Sequence, residues 1–147
     1  MKTLILVFLV SLVALVVGTG AQAQPGLTQQ KAEGNVTLKV TFSNPDSNDA
    51  KERLGFQISM NTHSVPLDQY PLKELAYLRD DKGKEYGALA WNPSGNGHHI
   101  SGVLEFNNSN AQGRPLTKSS SSLVLVIKNL AGVKERTFRW EIPSQGR

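Results

Sequence analysis

The chain has no cysteine. That absence excludes a disulfide framework, a thiolate metal site and a cysteine nucleophile together, so stability has to come from an ordinary apolar core. Aromatic residues make up 7% of the sequence, and no segment interleaves them with a run of lysine and arginine. Nucleic-acid binding is therefore not expected, because tracking phosphates and stacking bases requires a basic stripe with aromatic faces. A recognisable catalytic constellation is missing as well. Ser64 beside His63 has no oriented acid or nucleophile elbow. Asp80 and Asp81 are neighbours in a turn, where aspartate is favoured for its local backbone hydrogen bonds. The expectation is a protein that is not an enzyme.

One long apolar run is present, from Leu4 to Val17, behind Lys2 and ahead of the small residues Ala21 and Ala23. This is the pattern of a secretory signal cleaved after Ala23. No other segment is apolar enough to span a bilayer, so the mature chain is expected to be exported, periplasmic or extracellular, and not membrane-spanning. What remains is the size of one domain, and a monomer is expected. The division read from the sequence is residues 1–23 signal, 24–34 flexible leader, 35–143 folded domain and 144–147 tail.

From Asn35 onward apolar residues recur with period two. Val36, Leu38, Val40 and Phe42 alternate with Thr37, Lys39 and Thr41, which marks a strand buried on one face. Further strands are predicted over Leu54 to Asn61, Leu75 to Arg79, Glu85 to Trp91, His99 to Phe106, Leu123 to Asn129 and Arg136 to Ile142. Asp81, Lys82 and Gly83 turn the third into the fourth. "LKELA" suits a single helical turn between prolines, and the polar "NNSNAQGRPLTKSSSS" reads as a mobile loop. The predicted class is all-β: a single antiparallel β-sandwich of about seven strands, immunoglobulin-like or cupredoxin-like. Its predicted core is Val36, Leu38, Val40, Phe56, Ile58, Leu104, Leu125, Ile127, Phe138 and Trp140, with Met60 facing inward among them.

Three histidines, His63, His98 and His99, are all the chain has. If successive strands alternate in direction, His63, Trp91, His98 and His99 all fall at one pole of the sandwich, together with the turn holding Lys128 and Asn129. Imidazole is a common neutral ligand, so the three histidines are a candidate copper or zinc site with Trp91 packed beside it. Adjacent strand residues point to opposite faces, so His98 and His99 both ligate only if Gly97 turns the backbone. The bland alternative is three polar loop residues.

The elements Asn61-Thr62-His63-Ser64, Leu78-Arg79-Asp80-Asp81-Lys82-Gly83, Trp91, and Gly97-His98-His99 with Gly102 resemble those of a group of small exported bacterial β-sandwich proteins. The resemblance runs from the first predicted strand to Trp140. It implies a shared fold and a shared site, and brings no activity with it. The function expected first is a non-catalytic exported binding module that contacts an envelope or extracellular protein partner through loops at one pole. The second is a copper- or zinc-binding protein using the three histidines.

Overall fold

The computed structural model describes residues 26–143. The expected signal sequence and the cleavage expected after Ala23 lie outside the described residues, as does the tail at 144–147. The fold is an all-β antiparallel sandwich of two sheets. One sheet has the order β1-β2-β3-β7-β6, built from Thr28–Glu33, Val36–Phe42, Arg53–Thr62, His99–Asn107 and Ala90–Asn96 respectively. The other has the order β5-β4-β8-β9, from Glu85–Gly87, Ala76–Asp80, Ser122–Leu130 and Val133–Glu141. Two one-turn helices, α1 (Leu72–Leu75) and α2 (Leu116–Ser119), sit in the connections. Among the described residues no helix is long and apolar enough to cross a membrane.

Period-two alternation became burial where it was read. β2 alternates buried with less buried positions along its whole length, as does β3. All ten predicted core residues are buried, as is Met60. The two sheets meet in an aromatic cluster: Phe42 stacks on Phe56 with ring centroids 4.6 Å apart, and Trp140 of the opposite sheet lies 5.7 Å from Phe42 and 5.2 Å from Phe56. Central β8 is buried on both faces from Ser122 to Ile127, which explains its unbroken apolar run.

Three expectations are corrected. First, the segment read as a flexible leader contains β1. None of its six residues is fully buried, so no apolar signal announced it. It is held by antiparallel pairing to β2, from Thr28 opposite Thr41 to Glu33 opposite Val36. Side chains then tie it to β9: Gln29 Nε2 donates to the Arg139 carbonyl at 2.6 Å, and Lys31 sits 5.6 Å from the Phe138 ring centre.

Second, the strand predicted over Glu85 to Trp91 is two strands in different sheets. β5 pairs with β4 up to Gly87, opposite Tyr77, and the chain then crosses to the other layer, where Ala90 lies opposite Glu105 of β7. The described residues therefore form nine strands.

Third, the connection at 107–122 is ordered by a buried knot. Asn108 is fully buried, and its amide donates to Ser47 Oγ at 3.1 Å, the Asp49 carbonyl at 3.1 Å and Thr117 Oγ1 at 3.3 Å. Its Oδ1 accepts from the Thr117 N–H at 3.2 Å. A buried amide is stable only when so satisfied, and here its partners come from two loops of the same pole.

Candidate functional site

The β6–β7 hairpin closes with the two-residue loop Gly97-His98. Gly97 has φ of +57° while His98 stays in the ordinary region, the signature of a type II′ turn with glycine first. The turn is docked onto the connection between β3 and β4. Leu67 N–H donates to the Gly97 carbonyl at 2.8 Å, and Gly97 N–H donates to Asp68 Oδ2 at 2.8 Å. An added Cβ at Gly97 meets nothing within 4 Å, so substitution is penalised by backbone conformation alone. Gly97→Ala is expected to lower stability by about 1 kcal/mol, read as a shifted urea midpoint with unchanged slope.

The docking leaves a groove of about 280 Å³ between the hairpin and that connection. Alternate residues of edge strand β6 supply one wall: Trp91, Pro93 and Gly95 lie opposite Leu104, Gly102 and Ile100, whose side of β7 faces the core. Pro93 is tolerated because a missing N–H costs least on an outer strand. β6 rides close over β7 at this point. A Cβ on Gly102 would collide with the Asn92 carbonyl and come within 2.9 Å of Pro93 Cα, so glycine is what permits the approach. The opposite wall is Leu67, Asp68, Tyr70 and Pro71, with Met60 and Ile100 between the two walls. Tyr70 and Trp91 pack only partly against the core and keep partial exposure. Asp68 is the one ionised side chain of the lining.

The histidine end of the sandwich is partly as expected. Thr62 N–H donates to the His98 carbonyl at 3.1 Å, so the residues around His63 and the histidine turn share one pole. All three histidines are exposed. His99 Nδ1 lies 2.8 Å from Asn61 Oδ1, opposite it across β3 and β7. Among the described residues no group of three or more His, Cys, Asp or Glu side chains is arranged to hold a metal ion. The three-histidine copper or zinc set is thus not gathered. Trp91 is not at that pole, because the extra sheet crossing after Gly87 makes it the second residue of β6, opposite Leu104 and at the far end of the strand from the Gly97-His98 turn. It belongs to the groove instead. Sequence reasoning singled out Trp91 but missed Tyr70, Pro71 and Asp68; the clustered prolines around Tyr70 were the available signal.

The β4–β5 turn shows why its aspartates are there. Asp80 Oδ1 accepts from the N–H groups of Lys82 and Lys84, both at 2.9 Å, and Oδ2 accepts from the Tyr86 hydroxyl at 2.9 Å. Asp81 is held below the usual carboxylate range chiefly by the Ser121 hydroxyl, which donates to it at 2.7 Å. Burial and the Asp80 bond push the Tyr86 phenol up from 10.0 to about 12. The folded state holds this proton more tightly than the unfolded chain does. The resulting stabilisation is full below pH 10 and is lost as pH rises through 12. Phenolate absorbance during alkaline titration should show a late step near pH 12 that Tyr86→Phe removes.

No family model and no curated protein matches the chain. Among solved structures it is similar to a DUF4426 family protein from Pseudomonas aeruginosa PAO1, a crystal structure at 2.09 Å, with a TM-score of 0.43 and 17% sequence identity over 76% of this chain and 92% of that one.

Proposed function

We propose that the chain is a non-catalytic, exported binding module whose contact surface is the groove between the β6–β7 hairpin and the β3–β4 connection. The observation that carries this reading is the pairing of two partly exposed aromatic side chains, Tyr70 and Trp91, across an otherwise apolar groove with a single carboxylate, Asp68. Aromatic anchors at the rim of a preformed apolar cleft are where binding energy concentrates. The partner chemistry that fits is an extended peptide segment of an envelope or extracellular protein, presenting an apolar side chain to the groove and a basic one to Asp68. The groove lies beside the histidine pole, so the loop-borne contact expected from the sequence moves to the edge of the sandwich.

Selection from a random peptide display library tests this. Enriched peptides should combine apolar and basic residues, and their affinity should fall at least tenfold on Trp91→Ala, with a smaller loss on Asp68→Asn. No enrichment, or enrichment unchanged in Trp91→Ala, overturns the reading. Export is tested separately by sequencing the N-terminus of the protein recovered outside the cytoplasm, which should begin at Gln24.

A further inference from the structure

Strand β6 has a second side. Its residues between the groove positions, Asn92, Ser94 and Asn96, lie opposite Val103, Ser101 and His99 and belong to the outer face of the five-stranded sheet. The register continues across β3, β2 and β1, so that three rows run over all five strands at the histidine end. Eleven of their fifteen side chains are hydroxyls or amides, and the others are Ala32, Val103, Lys39 and His99. Lys39 is the only one with a fixed charge, and none is Phe, Tyr or Trp. Charge returns only beyond the third row, where Arg53 and Glu105 neutralise one another at 2.6 Å. The charged residues of β1, Lys31 and Glu33, lie on its other side, toward β9.

The other sheet of the same molecule provides the contrast. Its outward positions include Arg79, Lys128, Glu135, Arg139 and Glu141, an ordinary charged solvent face. A charge-poor outer face on one sheet is therefore not a property of the whole chain. Its side chains are also mutually held. His99 Nδ1 and Asn61 Oδ1 are 2.8 Å apart, Asn61 Nδ2 donates to Ser59 Oγ at 3.3 Å, and Ser101 Oγ donates to Ser59 Oγ at 3.3 Å. Groups already restrained lose less side-chain entropy when a ligand engages them.

From these observations we infer that the outer face of the five-stranded sheet binds a neutral glycan chain. Charge complementarity selects this occupant. A polyanion such as nucleic acid or an acidic polysaccharide requires fixed positive charge, and a protein hot spot requires aromatic or arginine anchors; the face has neither beyond Lys39. A neutral polyhydroxylated chain matches a surface that offers donors and acceptors at regular intervals without charge. Five strands spaced by about 4.8 Å span about 19 Å, and rows repeat about every 7 Å along them, room for several sugar units. Each neutral hydrogen bond contributes only about 1 kcal/mol net, so affinity accumulates along the chain. This surface is independent of the groove and would stand if the peptide reading failed.

Affinity electrophoresis of the protein in native gels tests the inference, with hydroxyethylcellulose, dextran or galactomannan as neutral matrix and carboxymethylcellulose as acidic matrix. The expected result is retardation in at least one neutral matrix that persists in high salt. The double variant Asn61→Ala, Ser101→Ala should weaken it at least tenfold, as should Ser101→Lys, while Thr137→Ala on the other sheet should leave it unchanged. Circular dichroism confirms that each variant is folded. Three results overturn the proposal: no retardation in any neutral matrix, retardation confined to carboxymethylcellulose and abolished by salt, or equal retardation in wild type and both face variants. Sedimentation equilibrium supplies a fourth. A dimer that Ser101→Lys dissociates would mean that a second copy, and not a glycan, covers the face.

Discussion

Replacing Arg136 with alanine is expected to lower the stability of the fold by about 3 kcal/mol or more. Arg136 is only 1% exposed, among the largest buried side chains of the domain. Nη1 donates to the Leu130 carbonyl and Nη2 to the Glu33 carbonyl, both at 2.7 Å. One guanidinium thus joins the end of β8 to the end of β1 across the two sheets. Burial lowers its affinity for the proton, opposed by the nearby Glu33 carboxylate, yet guanidinium remains charged at every pH where the protein folds. Hydrogen bonds from a charged donor contribute about 1.5–3 kcal/mol each, and truncation leaves two carbonyls short of a donor. Arg136→Lys should recover part of the loss, since one ammonium lacks the fork that reaches both carbonyls. Arg136→Met, which keeps the apolar stem, separates lost packing from lost bonding. Urea unfolding followed by circular dichroism gives all three differences, and a loss below 1 kcal/mol for Arg136→Ala would show that the clamp is not needed.

Truncation of Trp140 to alanine should be more costly still, about 3–5 kcal/mol, against a total of about 5–15 kcal/mol for an ordinary domain. Its indole packs against both Phe42 and Phe56 at the sheet interface, and Nε1 donates to the Leu27 carbonyl at 3.0 Å. The ring is therefore core and strap at once. Trp140→Phe should keep most of the packing and lose the bond to Leu27, costing about 1 kcal/mol plus the smaller volume. Circular dichroism is the suitable probe, because the substitution removes one of two tryptophans.

The legible part of the fold was the part written in apolar alternation. Val36, Leu38 and Val40 announce β2 because half of that strand leaves water. β1 makes its contribution through backbone pairing and through Gln29 and Lys31, so "TQQKAE" shows no period to detect. The segment from Glu85 to Trp91 carries no turn signal and is apolar throughout from Ala88, so nothing local distinguishes one strand from two that change layer after Gly87. Asn108 is illegible for a different reason. Its burial depends on Ser47, Asp49 and Thr117, and sequence distance hides partners that share a pole. The placement of the singled-out residues was legible in part. Grouping His63 with the turn at His98 needed only strand direction, whereas the place of Trp91 needed the extra crossing that the apolar run hides.

The order of pairing along the chain bears on how this domain assembles. Each of the hairpins β1–β2, β4–β5, β6–β7 and β8–β9 joins neighbours in sequence, and such units close within microseconds. The pairs that complete the sheets are of another kind. β3 reaches forward to β7 past β4, and β4 reaches forward to β8 past β7. The two long closures are interleaved, so the segment looped out by one contains a strand needed by the other. Closing either pair therefore draws strands of the other sheet toward their partners. Folding is expected to be slow for the chain's length, as non-local β topologies are, and one sheet alone would leave its apolar face in water, so no stable one-sheet intermediate is expected. Amides of β3 and β8, in opposite layers, should exchange with solvent only through the same global opening.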